Sequence, residues 1–289
     1  MVPTFEVRIL TGQRQPRVRE SEQDAARMGE LSAVVLAAGS GKRMKSELPK
    51  ALHEVCGVPM LAYVLELARA ASAARILAVV GYGAEAVEGR FRCPDVSWVV
   101  QEKRLGTGHA VRQAIPFVGR ETSDVLVLQA DMPLIRKRTV RELVKSHADG
   151  GRVASILVCR RPEPGSMGRV VRDEKGRVMA IREHADAGAE ERDIDEVNVG
   201  CYCFDVGALR GGLERVGKEN KQGEYYLTDV VEELYRSGEE VVGVEVEDWR
   251  EAFGVSTRED LEKASELMRE MAAERSRAAE RSRAAGGDK

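Results

Sequence analysis

The sequence predicts an α/β protein with a Rossmann-like, mostly parallel central sheet and an added β-hairpin lobe. Three observations carry that prediction. Short apolar runs recur along the first half of the chain, stretches of helical period separate them, and past Arg161 the texture changes to alternating residues around a turn. Strands that alternate with helices imply βαβ units, and so parallel strands covered on both faces.

Taken in order, the run Ala33–Ala37 is too short for a helix and leads into glycines, which reads as a buried parallel strand. A helix is expected after the loop that follows. Further strands are expected at Ile76–Val80, Trp98–Val100, Val125–Leu128 and Val153–Val158, with helices over 59–73, 83–90, 107–116 and 137–148. In GRVVRDEKGRVMAIRE, two alternating segments flank Asp-Glu-Lys-Gly, which predicts a hairpin walling the ligand edge of the sheet. Strands over 197–205 and 241–247 and a helix over 225–237 complete the lobe. From Arg258 onward one long helix is expected, ending in AAERSRAAERSRAAGG, whose only apolar residue is alanine and which should be solvated. Residues 1–30 are charged and aperiodic and read as a disordered leader, with Met28 as an alternative start; 31–261 form the folded domain and 262–289 a C-terminal helix and polar tail.

A hydrophobic content of 43% over 289 residues supports a real core. With 45 basic and 48 acidic residues the net charge is -3, so no general basic field points to nucleic acid or an anionic membrane, and phosphate binding has to be local. No apolar stretch approaches the roughly 18 residues of a membrane span, and no secretory apolar region is present at the start. The expected location is the cytoplasm. The five cysteines lack paired CxxC spacing and read as reduced core thiols, with Cys201 and Cys203 on one face of a strand. The sequence is compatible with either a monomer or a homo-oligomer.

Gly39, Ser40 and Gly41 directly follow the first strand, where backbone N–H groups can cradle phosphate oxygens. Neither the dinucleotide fingerprint nor the P-loop signature is present, so the glycines alone also fit a structural turn. The continuation GKRMKSELPK adds Arg43 and Lys50, cations suited to charge that spreads over a triphosphate during displacement. Asp131 ends the apolar strand in VLVLQADMPL, and Pro133 stops that strand from continuing. A carboxylate at this edge of a parallel sheet is placed for ligands and suits a hard cation such as Mg²⁺, although a turn or capping role would explain it as well.

The segments LAAGSGKRMKSELPKALHEVCGVPM, QEKRLGTGHAV, ADMPL, EHADA, EVNVG and GEYYLTDVV, in this order, resemble the uridylyltransferase half of bacterial N-acetylglucosamine-1-phosphate uridylyltransferases. The resemblance runs from about Leu31 to Leu261. It implies a nucleotidyltransferase fold whose hairpin lobe binds a sugar, and the formation of UDP-N-acetylglucosamine, a peptidoglycan precursor, and pyrophosphate from UTP and N-acetylglucosamine 1-phosphate with Mg²⁺. By that resemblance Leu36, Ala37, Ala38 and Gly39 line the nucleotide, Gln101, Gly106 and Thr107 recognise uracil and its neighbours, and Gly168, Glu183 and Asn198 receive the amino sugar. Arg43 and Lys50 would be catalytic and Asp131 the metal ligand. Tyr225, Tyr226, Thr228 and Asp229 border the sugar pocket in the family, but Tyr226 and Asp229 one turn apart on a predicted helix also fit plain packing and capping. His53 and His109 read as structural groups, because the proposed chemistry moves no proton through a histidine.

Two departures qualify the resemblance. Ser256 stands where the family has an asparagine as second metal ligand, and a hydroxyl is the poorer donor; Gln129 and Ala130 replace a tyrosine and a glycine beside the metal aspartate. The chain also ends before the acetyltransferase β-helix that many relatives carry, so uridylyltransferase activity alone is expected. Two other readings stay open: a nucleotidyltransferase for another base or sugar, and a non-catalytic sugar-nucleotide sensor that lost metal binding at Ser256.

Overall fold

β1 (Glu30–Ala37) lies in the middle of the sheet because it is apolar on both sides. Ala33, Val35 and Ala37 face one core layer, and Val34 and Leu36 the other, so the strand must sit between two layers of cover. The computed structural model describes residues 29–286, so most of the expected leader lies outside the described residues, while Glu30 already belongs to the first strand.

After β1 come a two-stranded ribbon, β2 (Glu54–Val55) and β3 (Val58–Pro59), then α1 (Met60–Ala70), β4 (Arg75–Val80), α2 (Ala84–Phe91), β5 (Val96–Val100), α3 (Thr107–Ala114), β6 (Thr122–Gln129), α4 (Lys137–Asp149) and β7 (Ala154–Arg160). The lobe adds β8 (Arg169–Arg172), β9 (Val178–Arg182), α5 (Ala189–Arg192), β10 (Glu196–Asp205), α6 (Val206–Arg215), α7 (Asp229–Arg236) and β11 (Val241–Glu245), and α8 (Arg258–Gly286) closes the described chain. The nine-stranded sheet runs β11-β7-β10-β6-β1-β4-β5, and along this path only β10 opposes its neighbours. The β8–β9 hairpin hangs from β10 through the pairing of Val197 with Arg169. The mostly parallel sheet and the hairpin are as the sequence predicts.

Four expectations are corrected. The helix expected after the glycine loop is α1, but it does not follow directly: two 3-10 turns, Lys42–Met44 and Lys50–Leu52, stand first, because Gly41 and Lys45 adopt left-handed conformations and Pro49 interrupts the run. The helix expected from 225 begins only at Asp229, so Tyr226 lies outside it. α6 was not foreseen behind its glycine pair; its cap, Asp205, accepts a hydrogen bond of 2.8 Å from the backbone of Ala208. Of the thiols read as core, Cys56 is exposed and Cys93 only half-buried, whereas Cys159, Cys201 and Cys203 are buried.

α8 packs only its first half. Ala264, Leu267 and Met271 close a third apolar cluster with Met44, Val55 and Met60, and the side chains from Ala272 to Arg281 are exposed. Its start is tied by a reciprocal cap. Thr257 N–H donates to Asp260 Oδ2, and Asp260 N–H donates to Thr257 Oγ1. Arg258 then donates to the carbonyls of Met44 and Lys45, clamping the helix onto the glycine loop.

Candidate active site

The C-terminal ends of β1, β4, β5 and β6 lie side by side, and the loops leaving them surround a cavity of about 590 Å³. An open α/β sheet binds ligands at this edge. The loop after β1 supplies Leu36, Ala37, Ala38, Gly39 and Arg43 to the wall. Gly41 is required there: at φ +61° it folds the loop back so tightly that a Cβ would stand 3.1 Å from Lys50 Cβ. This turn brings Lys50 beside Gly39.

Asp131 enters from β6, hydrogen-bonded in parallel register to β1. Ala130 N–H donates to Leu36 O, and Asp131 O accepts from Val255 N–H at 2.9 Å, which brings Ser256 onto the same wall. The ammonium of Lys50 donates to Asp131 Oδ2, the two side chains being 16% and 31% exposed. The loop glycines, both cations, Asp131 and Ser256 therefore meet in one place.

Gln101 follows β5, with its backbone N–H bonded to Val80 O at 2.7 Å and only 3% of its surface exposed. Its amide nitrogen donates to Gly106 O at 3.0 Å and to His109 Nδ1 at 2.9 Å. Thr107 opens α3, and its hydroxyl accepts from Leu227 N–H. The segment expected to be helical instead lies along this loop, Tyr225 N–H donating to Leu105 O and Gly108 N–H to Tyr225 O. It carries Gln222 and Glu224 into the cavity wall, where Arg104 and Gln129 also stand. Gln222, Glu224 and Arg104 had no local sequence signal, because a backbone pairing between distant loops delivers them.

Gly106 makes that pairing feasible, since at φ +106° a Cβ would lie 2.4 Å from Tyr225 O. Gly106→Ala is expected to lower the melting temperature by several degrees, as strain of this kind costs about 1–3 kcal/mol. Unchanged thermal unfolding would show that the loop can part from Tyr225 without cost.

Gly168, Glu183 and Asn198 form a second group that does not line the nucleotide-sized cavity. Gly168 O accepts from Asn198 N–H at 2.9 Å, and a Cβ on Gly168 would lie 3.7 Å from Glu183 Oε2. Asn198 sits where β10 bulges against β7, its amide donating to Tyr202 OH at 2.7 Å and accepting from Gly200 N–H at 3.0 Å. Glu183 accepts from Thr228 Oγ1 at 3.0 Å and faces an adjacent acidic cavity of about 510 Å³, with Asp186, Tyr226 and Asp229 around it. Burial raises the pKa of Glu183, while the Thr228 bond works against that shift. Burial, followed by the charge of Glu232, pushes Asp229 up to about 6. Gln129 lines the first cavity and packs close to Gly200, whose N–H donates to the Asn198 amide; a Cβ on Gly200 would meet the Gln129 Cγ at 3.0 Å. Of the two histidines read as structural, His109 is hydrogen-bonded to Gln101.

Residues 33–193 match the family described as MobA-like NTP transferase domain. The chain is 43% identical over 242 residues to the bifunctional protein GlmU of Brevibacillus brevis (strain 47), covering 84% of this chain and 52% of that protein. It is 42% identical over 243 residues to the bifunctional protein GlmU of Bacillus subtilis (strain 168), covering 84% of this chain and 53% of that one. The chain thus spans about half the length of the curated relatives it matches. Among solved structures, a UDP-glucose pyrophosphorylase complexed with UDP-glucose aligns at a TM-score of 0.68, covering 84% of this chain and 100% of that chain at 16% identity, a likeness of fold.

Proposed function

The chain belongs to the MobA-like NTP transferase domain family, and on that premise we propose that it is a uridylyltransferase forming UDP-N-acetylglucosamine and pyrophosphate from UTP and N-acetylglucosamine 1-phosphate. The observation that carries this reading is the meeting of the glycine loop, Lys50, Asp131 and Gln101 around one cavity. Identity of 43% and 42% to proteins named GlmU supports the choice of substrates.

In this reading a phosphate oxygen of the sugar phosphate attacks the α-phosphorus of UTP in line. The new O–P bond forms as the bond to the β-phosphate oxygen breaks, and pyrophosphate leaves with the electron pair. The nucleophile is anionic near neutral pH, so no general base is needed. Lys50, Arg43 and the loop amides hold the triphosphate and oppose the charge that grows on it. Gln101, Gly106 and Thr107 receive the base. Gly168, Glu183 and Asn198 receive the sugar, with Glu183 and the Asn198 amide giving directional contacts to its hydroxyl and N-acetyl groups.

The residues fit a cation held jointly with substrate. Among the described residues no three His, Cys, Asp or Glu side chains are grouped to hold a metal. Asp131 and Ser256 offer a carboxylate and a hydroxyl on one wall, a donor set suited to Mg²⁺ when phosphates and water complete its shell. When bound, Mg²⁺ would neutralise phosphate charge. Ser256→Asn, which supplies a stronger oxygen donor, is expected to lower the Mg²⁺ concentration giving half-maximal rate by severalfold; a titration midpoint left in place would remove residue 256 from the cation site.

A cytoplasmic site for the reaction belongs to the same proposal, supported by five cysteines without a disulfide and by the lack, among the described residues, of a helix long and apolar enough to cross a membrane. The test is pyrophosphate release with UTP, CTP and dTTP, each paired with N-acetylglucosamine 1-phosphate and with glucose 1-phosphate. UTP with the N-acetylated sugar should be fastest. Binding of UDP-N-acetylglucosamine without pyrophosphate release at saturating Mg²⁺ would identify a sensor instead.

A further inference from the structure

We propose that His109 is a positioning residue for base selection: it accepts a hydrogen bond from Gln101 and thereby holds the Gln101 amide oxygen toward the nucleotide cavity. The proposal rests on the reading of Gln101 as the residue that meets the base.

The hydrogen-bond logic permits one arrangement. Gly106 O can only accept, so the Gln101 group 3.0 Å away from it must be the amide nitrogen. That nitrogen can only donate, so the His109 Nδ1 atom 2.9 Å away must be bare. The proton of the neutral ring then sits on Nε2, and the Gln113 amide, whose nitrogen lies 3.4 Å away, must turn end for end to offer its oxygen there, the two ends of an amide having the same shape. Both protons of the Gln101 amide are thus used. Its oxygen, which has no hydrogen-bond partner among the described residues, is what this cavity-lining side chain can offer a ligand.

An amide free to rotate could serve a donor or an acceptor equally. One held in this way presents an acceptor, which matches the ring N3–H of uracil and finds no proton on N3 of cytosine. A group left unpaired in a desolvated site costs about 1–3 kcal/mol, so tenfold discrimination or more is in reach.

The surroundings keep the ring neutral. Burial lowers the pKa of His109, and the positive charge of Arg112 lowers it further. Across from α3 the ring of Tyr225 stacks on His109 at 6.3 Å, and that ring in turn carries the Arg112 guanidinium at 4.4 Å and the Lys218 ammonium at 5.5 Å. Gln101 and Gln113 are uncharged, and no carboxylate among the described residues bonds to the imidazole. The neutral form therefore persists at and above neutral pH. As pH falls through a pKa below 6.5, Nδ1 gains a proton that opposes the Gln101 N–H, and selectivity should be lost in that window.

The test is calorimetric binding of UTP and CTP to the full chain between about pH 8 and about pH 5.5. The ratio of the two affinities cancels the triphosphate titration that both nucleotides share. Wild type should favour UTP by about tenfold or more at the alkaline end, and the ratio should shrink on acidification. His109→Phe should bring the ratio to near unity and flatten its pH dependence, and His109→Asn, whose amide oxygen can accept, should restore part of it. If His109→Phe does not fold, the wild-type pH profile and His109→Asn still decide. A wild type without base preference, or one whose preference survives Gln101→Leu, overturns the reading of Gln101 itself. A preference that depends on Gln101 but is indifferent to pH and to His109→Phe overturns the role of His109 alone.

Discussion

Lys50→Ala is expected to cut turnover by about 10²–10³-fold while leaving thermal unfolding almost unmoved. The lysine reaches the cavity from a turn that Gly41 folds tightly against its Cβ, and its ammonium meets the carboxylate of Asp131. In the proposed reaction negative charge accumulates on the departing pyrophosphate, so a cation placed there gains more in the transition state than in the bound triphosphate. The loss should therefore fall on kcat more than on UTP affinity. Stability should change little, for two reasons. Alanine keeps the Cβ that packs on the glycine loop, and with Asp131 31% exposed, water can solvate the carboxylate left behind. An ion pair this open contributes about 0–1 kcal/mol, a few degrees at most in a domain of this size. Single-turnover pyrophosphate release and thermal unfolding check both halves. A rate within tenfold of wild type would take Lys50 out of the chemistry, and a large fall in melting temperature would make it structural.

The parts of this site legible in the sequence are those whose chemistry and local structure coincide. β1, β4 and β6 are covered on both faces, so they appear as unbroken apolar runs, and whatever follows such a run stands at the ligand edge; Gly39 and Asp131 are found this way. What stayed hidden was delivered by tertiary contacts. Tyr225–Thr228 have helix-like spacing with the residues after them, yet the backbone of Tyr225 is taken by Leu105 and Gly108, which Gly106 and Gly108 allow to approach closely. The tertiary pairing overrides the local pattern and carries Gln222 and Glu224 with it. Asn198 lies in a segment whose alternation looks like a regular strand, but the left-handed Gly200 makes a bulge that turns the amide onto Tyr202. His109 reads as an ordinary helix residue until β5 sets Gln101 beside it. Glu183, read as a sugar residue through the resemblance alone, stands in the hairpin lobe on an acidic cavity adjacent to the one that Gln101 and Asp131 line.

Asp131→Asn should have the larger effect, a loss of about 10³-fold or more together with loss of the normal Mg²⁺ dependence. Asparagine fills nearly the same space, so the backbone bond from Val255 that holds Ser256 in place should survive. What disappears is the anionic oxygen, which meets the Lys50 ammonium and which, in the proposed reaction, would also serve a hard cation that needs carboxylate and phosphate oxygens. The two substitutions can therefore be told apart on one titration. Lys50→Ala removes a positive charge that occupies the Asp131 carboxylate, so the Mg²⁺ midpoint should stay in place or fall even though the rate collapses. Asp131→Asn should drive the midpoint upward by tenfold or more. The double variant should lose less than the product of the two single losses, because residues acting as one unit are not additive. Midpoints that move in the same direction, or losses that multiply in full, would mean that Lys50 and Asp131 act on the phosphates independently and that their ion pair has no part in arranging the site.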